Sequence, residues 1–147
     1  MSKTKSQSST NAITSLKADH TSVKSLFDEF EKATDRDTKM TVVSEALEEL
    51  SIHAILEEEI FYPAVREAIE DEDGVMNEAD EEHHVAKILI AELEEMDGTE
   101  SHYDAKFTVL AENVRHHIKE EEEEMLPRAQ KTKIDFNALG GKMLSLK

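Results

Sequence analysis

A chain of 147 residues with a net charge of −17 and no cysteine is long enough for one domain with a sizeable core. Disulfides, thiolate metal sites and cysteine nucleophiles are excluded. The charge has the wrong sign for nucleic acid or for an anionic membrane surface, so neither is expected as a partner.

Glu, Lys, Ala, Leu and Met are over-represented, all good helix formers, and two prolines and four glycines punctuate the chain. An all-β fold needs more turn residues, so the expected class is all-α. No apolar run approaches the roughly 20 residues that span a bilayer. Residues 1–10 are polar, unlike a signal peptide. They are expected to be disordered and the protein cytoplasmic.

The first predicted helix covers 11–32, with Ser9, Thr10 or Asn11 as its cap. Its apolar stripe, Ile13, Leu16, Val23, Phe27 and Phe30, keeps three- and four-residue spacing, and His20 fills the gap. Residues 34–38 form a turn, and a second helix follows over 38–70. Val43, Ala46 or Leu47, Leu50, Ile60 and Phe61 mark its stripe, completed by His53 and Glu57. Pro63 lies inside it and should kink the helix or end its regular part. The next turn is expected at Asp71, Glu72, Asp73 and Gly74.

The third helix is predicted over 75–96, with Met76, Ala79, Ala86, Ile90 and Leu93 in its stripe and His83 in the gap. Gly98 suits a helix C-cap. The fourth is predicted over 100–130. Its stripe is Phe107, Leu110, Val114 and Met125, completed by His117 and Glu121, with Pro127 near its end. Residues 131–147 read as a tail or short terminal helix. Turns this short make successive helices antiparallel neighbours. The expected architecture is therefore an up-down-up-down four-helix bundle over 11–130.

The chain resembles itself. His53, Glu57 and Pro63 recur as His117, Glu121 and Pro127, both spaced H-x3-E-x5-P. His20, Val23, Lys24, Leu26, Phe27 and Phe30 match His83, Ala86, Lys87, Leu89, Ile90 and Leu93. The offsets are 63 and 64 residues. Two helical hairpins with approximate two-fold symmetry follow.

A single histidine on an apolar face is ordinarily a core residue with a satisfied hydrogen bond. Here all four stripes contain one, and two add a glutamate one turn later. Burying six such groups without a cation is very unfavourable. Residues i and i+4 lie about 5–6 Å apart on one face, so His53 with Glu57, and His117 with Glu121, reach one ion or two adjacent ones. Carboxylates from both sides can bridge metals about 3.5–4 Å apart, with two imidazoles on each. The expected ligands are His20, His53, Glu57, His83, His117 and Glu121. Imidazole with carboxylate suits iron, ahead of manganese or zinc. Calcium prefers oxygen donors alone. Two iron ions with oxide or hydroxide between them are the expected cofactor.

The order H…H-x3-E…H…H-x3-E, with the strings Asp19-His20, His53 to Pro63, Glu82-His83 and His117 to Glu121, resembles the hemerythrin-like (HHE cation-binding) family over about 11–130. The resemblance implies a non-heme di-iron centre in a four-helix bundle. Oxygen-carrying hemerythrins have a fifth histidine one turn after the first in their third helix, where this chain has Lys87. That departure points away from reversible oxygen carriage. It favours peroxide or nitric oxide handling under oxidative stress, or iron and redox sensing; the alternative reading is an oxygen, nitric oxide or iron sensor or carrier without catalytic turnover. The expected partner is a small diatomic or peroxide ligand.

His84 and His116 adjoin expected ligands, but neighbours on a helix differ by about 100°, and the repeat selects His83 and His117. His102 is expected to be exposed. Glu58, Glu59 and Glu120 to Glu124 read mainly as a solvated face, some of them orienting ligand imidazoles. Glu58 is the leading alternative ligand. Tyr62 reads as a packed tyrosine at the core edge, with hydrogen-bond donation or radical chemistry as the alternative, and Lys24 and Lys87 as surface residues or cations near the site.

Overall fold

A computed structural model describes residues 11–70 and 74–147, so the expected disorder of 1–10 and the turn at Asp71, Glu72 and Asp73 lie outside the described residues. The first helix, α1, spans Ala12–Lys32, and the Asn11 side chain accepts from the Ile13 and Thr14 N–H groups. The second, α2, spans Arg36–Leu56. It begins two residues earlier than the sequence suggested, because the Asp35 carboxylate takes the Thr38 N–H and acts as the cap.

Regular α-helix then gives way to a π turn, Glu57–Phe61, before α3, Tyr62–Ala68. The Tyr62 N–H bonds the Glu57 carbonyl five residues back. Pro63 has no N–H, so widening the helix just before it costs little. The same event recurs in the second half. There α5, Tyr103–Glu120, runs into a π turn at Glu121–Met125 and then α6, Leu126–Gln130.

Between these halves lies α4, Val75–Glu94. The start expected for the fourth helix near residue 100 shifts to Tyr103. Glu100 is used in the loop instead, where its carboxylate accepts from the Asp97 and Gly98 N–H groups. Gly98 sits there with φ of 97°, and Met40 occupies the place a β-carbon would need. The tail forms α7, Phe136–Leu146, capped by Asp135. It packs on α1 and the first π turn, and Gly140 and Gly141 do not break it.

Among the described residues there is no strand, and the chain is a helical bundle with one added helix. α1 packs on α2 and α5, and α4 on α5 and α2. Nearly all of the stripe residues are buried, with Ala86 and Ile60 partly so. They fill two clusters. One gathers Val23, Phe27, Leu50, Ile90, Phe107 and Val114, with Phe107 meeting the rings of Phe30 and Phe27 at 4.7 and 5.7 Å. The other gathers Leu16, Leu56, Phe61, Met76, Met125 and Met143. Between them lies a polar layer that belongs to neither. No helix among the described residues is long and apolar enough to cross a membrane.

Candidate metal centre

All six expected ligands meet in that layer. His20, Glu57, His83, His117 and Glu121 are buried, and His53 is nearly so. His84, His102 and His116 are exposed, so the register that the repeat selected is the one the fold adopts.

Each glutamate faces both halves. Glu57 places Oε2 3.2 Å from His53 Nε2 and Oε1 3.0 Å from His83 Nε2. Glu121 places Oε1 3.0 Å from His20 Nε2 and Oε2 3.3 Å from His117 Nε2. Two donor groups result. One is His20, His53, Glu57 and Glu121, whose donor atoms lie within 4.8 Å of one another. The other is His83 and His117 with the remaining carboxylate oxygens, Glu57 Oε1 again lying within 4.8 Å of both imidazoles.

The outer nitrogen of every imidazole meets a carboxylate. His20 Nδ1 lies 2.7 Å from Glu122, His53 Nδ1 3.0 Å from Asp19, His83 Nδ1 2.7 Å from Glu58 and His117 Nδ1 2.6 Å from Glu82. The pattern obeys the internal repeat. A carboxylate just before the first histidine holds the second, and one just after the glutamate holds the opposite hairpin's first histidine. With a metal bound, each Nδ1 would therefore carry the proton and each Nε2 would turn its lone pair inward. Glu58 is accordingly a holder of His83, and Lys87 ion-pairs with its other oxygen.

Tyr62 takes the hydrogen-bonding alternative and not the preferred place at the core edge. It is 2 % exposed, and its hydroxyl donates to Glu121 Oε2 at 2.5 Å while lying 3.1 Å from Glu57 Oε1. His117 Nε2 and His83 Nε2 are 3.0 and 3.2 Å away. With α-helical spacing Tyr62 falls one turn beyond Glu58 and off this face. The π turn adds most of a residue's rotation, bringing position i+5 over Glu57. The second half has Leu126 at the equivalent place, so the two donor groups differ by one hydroxyl.

The donor set fits cations. Four imidazole nitrogens and two carboxylates converge around a single hydroxyl. His20 Nε2, His53 Nε2, Glu57 Oε2 and Glu121 Oε1 are inaccessible to solvent and make no aligned hydrogen bond. Protons or metal ions must balance such a layer. Without metal, protons are favoured. Burial opposes a charged His53 ring, yet Glu57 and Asp19 hold its pKa up to about 10. His83 and His117 are raised by Glu57 and Glu121 in the same way, against burial. Burial pushes the Glu57 carboxyl up, but His53, His117 and His83 outweigh it and keep it well below the usual range. Burial, with the Glu121 and Glu57 charges, raises the Tyr62 hydroxyl and keeps it protonated.

A cavity of about 50 Å³ opens over the layer on the side away from Tyr62. Val23, Leu50, Ala54, Ala86, Ile90 and Val114 form its walls, and His20, His53, Glu57, His83 and His117 its floor. Asn113 and Lys87 also line it.

The comparisons with known proteins agree with this geometry. The model of the hemerythrin HHE cation binding domain matches residues 11–129. An uncharacterized hemerythrin-like protein of Schizosaccharomyces pombe is 28% identical over 114 residues, which are 77% of this chain and 56% of that one. This chain thus spans a little over half the length of that relative. The crystal structure of a hemerythrin HHE cation binding domain-containing protein from Mycobacterium kansasii superposes with a TM-score of 0.77 at 26% identity. The match covers 92% of this chain and 84% of that one. The chain belongs to the hemerythrin HHE cation-binding domain family.

Proposed function

We propose that this chain is a non-heme di-iron protein that takes up O2, H2O2 or NO, with peroxide and nitric oxide handling favoured over oxygen carriage. The observation that carries the reading is the apolar cavity floored by the donor layer. Its volume suits roughly three waters, or one diatomic or peroxide molecule. Imidazole and carboxylate donors suit iron, with manganese or zinc behind it. Two bound ions would supply redox equivalents and Lewis acidity.

The remaining work falls to the chain. The cavity walls exclude bulk water and admit small neutral ligands. Asp19, Glu58, Glu82 and Glu122 fix the imidazoles in one tautomer and orientation. Tyr62 holds a proton on Glu121, at one end of the layer and across it from the cavity. Nothing in this scheme calls for nucleic acid or membrane, and a cytoplasmic setting suits it.

The test is metal content, followed by spectra before and after hydrogen peroxide. Two irons per chain, with spectral changes while oxygen evolves or NO is consumed, support turnover. A stable adduct instead supports a sensor or carrier. No metal in protein never exposed to a chelator sinks the reading.

Two substitutions refine it. Ala86→Leu fills the cavity without touching a donor. It is expected to leave metal content at two ions and slow the peroxide reaction about tenfold, since access and not chemistry is lost; an unchanged rate means that ligands arrive elsewhere. Tyr62→Phe keeps the packing and removes the hydroxyl. It is expected to weaken retention of one ion about tenfold, read as one of two ions lost first to a competing chelator.

A further inference from the structure

The internal repeat is broken on one flank of the bundle. By the repeat offsets, Ser15, Asp19, Ile52, Leu56 and Ile60 correspond to Glu78, Glu82, His116, Glu120 and Glu124. On the first flank Ile52, Leu56 and Ile60 join the core cluster that Leu139 and Met143 of α7 complete. On the second flank an imidazole and carboxylates stand at the same places, and the His116 side chain is 66% exposed.

His116 Nε2 lies 3.3 Å from Glu120 Oε1 and 3.9 Å from Glu82 Oε2. One donor atom from each of the three residues lies within 4.8 Å of the others. His116 and Glu120 repeat the i, i+4 spacing of His117 and Glu121 one residue earlier, hence turned about 100° outward. Glu120 Oε1 is inaccessible to solvent and makes no aligned hydrogen bond.

A cleft of about 10 Å³ lies beside this cluster. Glu78, Glu82, Glu120 and Glu124 line it, and so do His117 and Glu121. Glu82 belongs to both places, because its Oε1 holds His117 Nδ1 at 2.6 Å while its Oε2 faces His116.

We propose that Glu82, His116 and Glu120 form a third cation site, a station for divalent first-row transition ions on their way to the centre. One imidazole with two carboxylates is a donor set for such ions and not for calcium or magnesium. Three protein donors leave positions for water, so the ion is held loosely enough to move on. The surrounding carboxylates concentrate cations at the opening of the cleft. The apolar flank of the other hairpin offers no equivalent cluster.

The experiment uses the full chain with its centre loaded and its metal content measured, so failure of the di-metal reading is visible before the third site is tested. Manganese(II) is then titrated in, and free ion is followed by its six-line paramagnetic resonance signal. One further ion per chain is expected. His116→Ala combined with Glu120→Gln should abolish it, whereas His84→Ala, an exposed histidine on α4, should keep it. In metal-free protein the double variant should take up iron(II) roughly tenfold more slowly and reach the same final stoichiometry. Manganese binding that survives the double variant overturns the site. Loss of manganese binding with unchanged iron uptake overturns its role as the loading route.

Discussion

Glu57→Ala is expected to cut metal content from two ions per chain to one or none, because this carboxylate contacts both donor groups. Its two oxygens lie 3.2 Å from His53 and 3.0 Å from His83, so one truncation would remove a donor from each of the two groups. Glu121→Ala should do the same through His20 and His117. Metal-free stability should fall as well. His53, His83 and His117 lose the charge that holds their rings protonated, and breaking a buried ion pair costs about 3–5 kcal/mol. Elemental analysis and urea unfolding read the two effects separately. Retention of both ions by both variants would remove the glutamates from the ligand set.

Chelation should lower the thermal midpoint by roughly 10 °C or more. An ion present at a thousandfold its Kd stabilises by about 4 kcal/mol, and each kcal/mol shifts a chain of this size by roughly 2–4 °C. The size of that shift should depend on pH. In the metal-free protein His53 is raised to about 10 from an ordinary value of 6.5, by Glu57 and Asp19 against burial. Its stabilising contribution is complete below pH 6.5 and is lost as pH rises toward 10. Glu57 is depressed below its ordinary value of 4.5, so its contribution is present above that value and lost as pH falls through the lower one. Metal-free stability from these groups is therefore greatest between about pH 4.5 and 6.5. Metal must displace the ring protons, so loading releases protons and strengthens as pH rises. Scanning calorimetry should show a wider gap between loaded and chelated protein at pH 8.5 than at pH 5.5. An equal gap at both would mean that the histidines do not bind the ions.

The substitution of Lys87 for a fifth histidine gains a structural reading. Lys87 pairs with Glu58, which holds His83. The residue that would add a ligand in an oxygen carrier is here an exposed cation at the edge of the cavity, acting on an imidazole through one intervening carboxylate.

Helix faces were legible because core burial imposes a 3.6-residue period, and an interruption such as His20 or His83 stands out against apolar neighbours. The repeat then chose His83 over His84 and His117 over His116. Helix starts were less legible. The two that moved, at Arg36 and Tyr103, were decided by which carboxylate bonded nearby backbone N–H groups, a competition among several acidic residues with similar local propensity. The carboxylates that hold the imidazoles carried a faint signal, since Asp19 and Glu82 precede histidines and Glu58 and Glu122 follow glutamates. In so acidic a chain that signal was buried among solvated neighbours.

The sequence by itself determined the all-α class, the two-hairpin repeat and the six residues of the donor layer, because all three are written in spacing along single helices. Tertiary structure alone decided which carboxylate oxygen faces which imidazole, that Tyr62 lies at the centre, and that one flank is acidic and open while the other is sealed by α7. Those outcomes depend on two π turns that rotate the residues beyond them, and on contacts between residues as far apart as Asp19 and Lys147. No periodicity in the chain encodes either.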